Sequence, residues 1–222
     1  MTSPKIENPL ATEEIAPPPA PSLSGVQRRR KQIIFGVAFL LFFAILFTQS
    51  WWAWEGIWHE DIEILGLVLI GFCVLGRTWC CMYIGGQKNE AIIRVGPYSV
   101  VRNPLYVFSV IAAGATGFLT GSIVIGLLFA LLIFLIFDRV IRKEEAFLVK
   151  KFDGAYRNYM AETPRWWPRW RLWKDADILT VRPRLVWITF KDASLFYLAY
   201  PLFEGVEWLQ GSGYLPVYLS LP

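Results

Sequence analysis

Histidine is almost missing from this 222-residue chain: it occurs once, at His59, on an acidic and aromatic stretch read as a loop. A single imidazole leaves no basis for a His-based metal centre or a catalytic triad. Cysteine occurs three times, at Cys73, Cys80 and Cys81, all within one apolar run. That spacing fits neither a zinc site nor a thioredoxin-type pair, so the thiols read as small packing residues and no metal is expected. Charge is missing from residues 105–137, 33 positions in succession, and no Lys or Arg follows Lys191. Gly114, Gly117, Gly121 and Gly126 lie in the uncharged stretch. No strand precedes them, so close helix packing is a better account than a nucleotide-binding loop. The basic group Arg28-Arg29-Arg30-Lys31 leads into an apolar run without a small-residue cleavage pattern, which excludes a signal peptide.

What is abundant is apolar and aromatic. Hydrophobic residues make up 55% of the chain and mean hydropathy is +0.41, values of a small integral membrane protein rather than of a soluble domain. Many of the 11 Trp lie beside the ends of apolar runs, where their rings sit at headgroup depth. The net charge of +4 is carried by stretches flanking apolar spans, a topology signal, and nucleic acid is not expected as a partner. Residues 1–27, rich in Pro, Ser and Ala without periodicity, read as a disordered tail. Residues 33–47, extended by Trp51, Trp52 and Trp54, form the first expected span. Residues 64–84 form the second, with Arg77 close enough to its end to snorkel. As one helix, residues 105–137 would be about 50 Å long against a hydrocarbon core of about 30 Å. The segment must bend, and Thr120-Gly121-Ser122 is the place, giving spans three and four. Residues 186–203 are a fifth expected span, with an interfacial helix as the alternative because Lys191 and Asp192 intrude. Lys and Arg lie before span one, between spans two and three (Lys88, Arg94, Arg102) and densely from Arg139 to Arg184. The positive-inside rule then puts the N-terminus and these polar regions in the cytoplasm.

Chemistry concentrates in two clusters. Gly96-Pro-Tyr-Ser-Val-Val-Arg-Asn-Pro-Leu-Tyr106 is a polar elbow on the edge of a membrane segment. Irregular backbone at such depth is tolerated only where it lines protein or a watery cavity. From Arg139 to Tyr159 the chain reads as a helix continuing out of span four. Ile141, Leu148, Phe152, Tyr156 and Tyr159 share one stripe, Glu144 and Glu145 lie in or beside it, and Lys143, Lys150 and Arg157 point away. Buried carboxylates need partners. A cationic ligand or an amine would satisfy them; Arg102 or Arg94 would do so too, and would merely staple two cytoplasmic segments. Beyond Tyr159, Trp166, Trp167, Trp170 and Trp173 alternate with Arg165, Arg169, Arg171 and Lys174, a mixture suited to an interfacial belt on anionic lipid.

The two clusters resemble the isoprenylcysteine and phospholipid methyltransferase family, whose usual pattern is Arg-His-Pro-x-Tyr followed later by Glu-Glu and Phe-Gly-x-x-Tyr. The resemblance covers roughly residues 83–168. Asn103 replaces the commoner His, keeping a donor and an acceptor without a titratable group, and Phe108 stands where a glycine is often found. The resemblance implies S-adenosylmethionine as cofactor, enclosed by the cytoplasmic ends of the spans. It places cofactor contacts on Glu90, Ala91, Ile92, Ile93, Tyr98, Arg102, Asn103, Pro104, Leu105 and Tyr106, with Glu144 reaching the amino acid portion. An Arg that helps hold substrate falls in register with Val140, beside Arg139, which by helix phase points away from Glu144. Methyl transfer is an in-line displacement that needs alignment at short distance, not a metal. An amine acceptor must also lose a proton, and Glu145 is the candidate base.

The expected protein is thus all-α: a membrane helical bundle of four core spans, a fifth C-terminal span and a cytoplasmic helix capping the cofactor. Residues 1–31 would be the tail, 32–184 the methyltransferase core and 185–222 the C-terminal helix and its tail. The expected reaction is carboxyl O-methylation of an isoprenylcysteine-like lipid, in a bacterial inner membrane with the site facing the cytoplasm. N-methylation of an aminophospholipid headgroup is the alternative, and a non-enzymatic membrane interaction protein the second alternative.

Overall fold

Gly56, with extended backbone, precedes the first long helix, α1, Ile57–Ile84. The helix starts about two turns before the expected span, so His59 lies on a helix and not in a loop. Glu60 in the first turn faces the positive end of the helix dipole, and His59 and Glu63 stand one above the other at i and i+4. This computed structural model describes residues 45–51, 56–85 and 91–221, together with residues 36, 39, 42 and 43. The N-terminal tail, the basic group at 28–31, Trp52, Trp54, Lys88 and Glu90 lie outside the described residues. Residues 36, 39, 42, 43 and 45 are helical, whereas Thr48–Ser50 form strand β1, so Trp51 follows a strand and not a helix.

The elbow begins at Gly96, whose φ of 57° and contact with the Tyr83 ring leave no room for a Cβ. It continues through one helical turn, α2, Pro97–Val100, into α3, Pro104–Phe118, which Pro104 opens at its first turn. The bend falls where the sequence places it. Gly121 takes a φ of 62°, and the Ser122 side chain accepts a hydrogen bond from the Ile125 amide to cap α4, Ile123–Glu162. A Cβ on Gly117 would stand 2.6 Å from the Gly126 Cα, so these glycines do let α3 and α4 approach closely. Phe108 is likewise accommodated by a glycine, but on another helix: a Cβ on Gly76 of α1 would meet the Phe108 ring at 2.2 Å.

At 40 residues α4 is about 60 Å long, twice the thickness of a bilayer core. The expected unbroken helix to Tyr159 is interrupted at Asp153, where φ is 41°. The chain then returns beneath the elbow, with the Gly96 amide bonded to the Lys174 carbonyl at 2.7 Å and the Arg102 amide to the Pro164 carbonyl at 2.9 Å. Helix α5, Pro183–Ser194, a 3₁₀ turn at Leu195–Leu198 and α6, Ala199–Gly211, follow one another in helical conformation. They run antiparallel to α1. Thr189 meets Cys81, Tyr197 donates to the Leu67 carbonyl, and Glu207 lies beside His59. From Cys81 to His59 is about 33 Å along the helix, close to the apolar thickness of a membrane.

The described residues are mostly helical, and the one sheet among them is a three-residue clasp in which β1 pairs in parallel with β2, Leu219–Leu221. Helices α1 and α4 are each long and apolar enough to cross a membrane, and α3 is a shorter apolar helix. Their apolar side chains are turned largely outward: Ile64, Val68, Leu75, Leu127, Leu131 and Leu135 are all exposed. A soluble core helix would hide these groups, so the outer surface is that of a membrane protein. Cys73, Cys80 and Cys81 are buried and unbridged, as packing residues.

Candidate active site

A cavity of about 840 Å³ opens where the elbow meets α1 and α4. Its polar end is walled by Tyr98, Arg102, Asn103, Glu144, Tyr156 and Tyr159, and its other end by apolar groups that include Ile45, Phe129, Phe196 and Phe203. The volume lies in the range of about 300–1,000 Å³ found for small-molecule sites.

Two adjacent carboxylates on α4 have different surroundings. Glu145 is 3% exposed and engaged by two guanidinium groups: Arg102 Nε donates to Oε1 at 3.0 Å and Arg165 Nε to Oε2 at 3.0 Å. A second nitrogen of Arg165 also donates to Oε2, and Asn103 Nδ2 approaches Oε1 at 3.5 Å. Arg102 further donates to the carbonyls of Met160 and Thr163, both at 2.7 Å, where α4 ends and its unpaired carbonyls favour a cation. The elbow, α4 and the returning chain are thus held by one ionic hub. Glu144, one residue earlier, turns its buried carboxylate to the cavity.

Tyrosines complete the polar end. Tyr159 donates to the Tyr98 carbonyl at 2.6 Å and carries the Arg94 guanidinium 5.5 Å over its ring. Tyr106 packs edge-on to Phe137 at 4.8 Å. The Tyr98 hydroxyl is fully buried and has no hydrogen-bond partner among the described residues. Burial holds this phenol well above its ordinary pKa, so it stays a neutral donor. A carboxylate among several aromatic faces is an environment for a compact organic cation.

A profile of the family described as phospholipid methyltransferase matches residues 64–155. Among curated proteins, a cobalt-zinc-cadmium resistance protein, CzcN, of Cupriavidus metallidurans is 30% identical over 179 residues, 80% of this chain and 82% of that protein. A nickel-cobalt-cadmium resistance protein, NccN, of Alcaligenes xylosoxydans xylosoxydans is 28% identical over 92% of this chain and 95% of its own length. A protein-S-isoprenylcysteine O-methyltransferase of Schizosaccharomyces pombe is 37% identical over 78 residues, 35% of this chain and 33% of that protein. This chain belongs to the phospholipid and isoprenylcysteine methyltransferase family. Membership supports membrane methyltransferase activity. No solved structure matches the chain.

Within this family member, the fold gathers most of the expected contacts. Ala91, Ile92, Ile93, Tyr98, Arg102, Asn103, Leu105, Tyr106 and Glu144 all line the cavity. Pro104 is buried at the start of α3 and acts through the backbone. Glu145 and Arg139 lie apart from these contacts. Glu145 does not line the cavity, and both its oxygens are engaged by arginines, so it is a poor candidate for a base. Arg139 is exposed and outside the cavity, as its helix phase requires. Two arginines acquire roles that the sequence reading missed. Arg165, assigned there to the lipid belt, is the second partner of Glu145. Arg77, read as a snorkelling cation, lines the cavity and donates to Ser109. The signal for Arg77 was its position deep in an apolar run, where a charge marks a functional site more often than an anchor.

Proposed function

We propose that this chain transfers a methyl group from S-adenosylmethionine to the polar head of a membrane lipid. The observation that carries this reading is the single cavity with Glu144 and tyrosines at one end and aromatic and aliphatic walls at the other. When bound, S-adenosylmethionine supplies an electrophilic methyl on a sulfonium centre. Glu144 neutralises the cofactor's α-ammonium, and the faces of Tyr98, Tyr106 and Tyr156 favour its positive charge. Asn103 and the neutral Tyr98 hydroxyl provide orienting hydrogen bonds. Phe129, Phe137 and Phe203 exclude water and align the acceptor, which is where much of the rate arises.

The acceptor we favour is a carboxylate on an isoprenylcysteine-like lipid. Such a group attacks without losing a proton, and Glu145, tied to two arginines, is not free to take one. An aminophospholipid remains the second reading, favoured by the family profile. The described helices accord with a bundle whose α5–α6 stretch crosses beside α1, with the Arg-rich elbow and α4 tail on the cytoplasmic side of a bacterial inner membrane. The metal resistance named for two relatives supports a setting for this methylation in the membrane's response to such metals.

The test compares methyl incorporation into matched acceptors of increasing chain length, carboxylate and amine, in nanodiscs. Tail burial contributes about 0.8 kcal/mol per methylene, so kcat/KM should climb with length until the apolar end is full. A flat profile, or efficient methylation of a water-soluble headgroup analogue, overturns the lipid acceptor.

A further inference from the structure

At the far end of α1, about 27 Å from Arg77, lies a second cluster. His59 Nε2 stands 3.3 Å from Glu63 Oε1 and 3.5 Å from Glu207 Oε2. The donor atoms of the three residues all fall within 4.8 Å of one another. His59 is 2% exposed, and its ring is seated against Gly121, where a Cβ would come within 2.0 Å of Nδ1. That seat aims Nε2 at the two carboxylates. Glu60 and Glu204 join Glu63 and Glu207 in lining an adjoining cavity of about 540 Å³, which opens the cluster to water.

The geometry points to a binding site for a divalent transition-metal cation held by His59, Glu63 and Glu207. Charge-assisted N–H···O bonds in a buried His–Glu pair settle at about 2.7–2.9 Å, and both separations here are longer. Ligands at about 2.1 Å from a tetrahedral cation stand about 3.4 Å apart, which both separations match. Charge argues the same way. No Lys or Arg occurs at residues 32–76, at 103–138 or beyond 191, so among the described residues His59 is the one basic group on the elements that form this end of the bundle. One imidazolium cannot balance four glutamates around one cavity; a dication bound by His59 and two of them, and shared with the other two, goes much further. One imidazole with carboxylates and no thiolate suits zinc, cobalt or nickel, whereas magnesium and calcium prefer oxygen alone. The ligands come from α1 at i, i+4 and from α6 opposite, an arrangement that helical bundles use for metal sites. A bound cation would tie the two helices together at the membrane face remote from the methyltransferase cavity.

The test is made on the full chain in nanodiscs, stripped with chelator and titrated with Co²⁺ alone. It needs neither methyl donor nor acceptor, so failure of the enzymatic reading leaves it intact. Expected are a saturable visible ligand-field band at one Co²⁺ per chain, its displacement by Zn²⁺, and at least tenfold weaker binding in Glu207→Gln and Glu63→Gln. His59→Ala should abolish the band; because that variant removes packing as well, the near-isosteric Gln variants carry the comparison. A wild-type protein without a saturable band overturns the site, and so does binding undiminished in both Gln variants, which would mark exposed carboxylates as the ligands.

Discussion

Glu144 and Glu145 are neighbours in sequence and almost equally buried, yet removing their charges should produce opposite phenotypes. Glu144→Gln keeps the size of the side chain and withdraws the negative charge that faces the cavity. A hydrogen bond to a charged group contributes about 1.5–3 kcal/mol, so affinity for S-adenosylmethionine or its demethylated product should fall roughly tenfold to more than a hundredfold. The ionic hub is untouched, and the fold should persist. Glu145→Gln leaves the buried Arg102 guanidinium facing a neutral amide, with Arg165 released beside it. Breaking a buried pair costs about 3–5 kcal/mol; because Arg165 is 24% exposed and water can reach it, the lower end applies, about 3 kcal/mol. Calorimetric titration with the cofactor and thermal unfolding of the same detergent preparations separate the two effects. Unchanged affinity in a folded Glu144→Gln protein would falsify the cofactor assignment. A Glu145→Gln variant with normal stability and lost affinity would reverse the roles of the pair.

Tyr98→Phe removes a buried hydroxyl that has no partner among the described residues, so stability should hold or rise while cofactor affinity drops by about 1 kcal/mol; equal losses in both would make the hydroxyl structural. Gly76→Ala should cost about 1–3 kcal/mol through its clash with Phe108 and should be rescued by Phe108→Ala, as measured by denaturation of the single and double variants; additive losses would refute the pairing. Cysteine labelling of Glu60→Cys and Lys150→Cys, against a background of three buried native thiols, should mark opposite sides of the membrane, and labelling from one side would refute the proposed topology.

Much of the site was legible because its residues are local in sequence. The elbow from Gly96 to Tyr106 and the helix bearing Glu144 each declare themselves by pattern, and the need for a bend follows from length, its place from Thr120-Gly121-Ser122. What could not be read was pairing across the fold. Glu145 lies in the same stripe as Glu144, and no periodicity says which one meets Arg102; that depends on how the chain returns after Thr163 and brings in Arg165. His59 looked isolated because its α6 partner lies 148 positions away. The one hint was the i, i+4 spacing with Glu63, which becomes meaningful only once the helix is seen to begin at Ile57. Asp153 shows a further limit, since the apolar stripe continues past it although the backbone breaks.

Gln210 holds the carbonyls of Ile45, Leu46 and Thr48, and just beyond it β2 closes on β1. Ile45 and Phe203 both wall the apolar end of the large cavity, although more than 150 residues separate them. During synthesis, therefore, the elbow and α4 can assemble the polar half while the apolar half still gapes toward lipid. Contacts of such long sequence separation form late and slowly. A chain arrested before α6 would carry the polar half of the cavity while its apolar half lacked Phe203. The clasp and Gln210 thus join distant parts of the sequence beside one wall of the cavity, and that wall is complete only after α6 and β2 have been made.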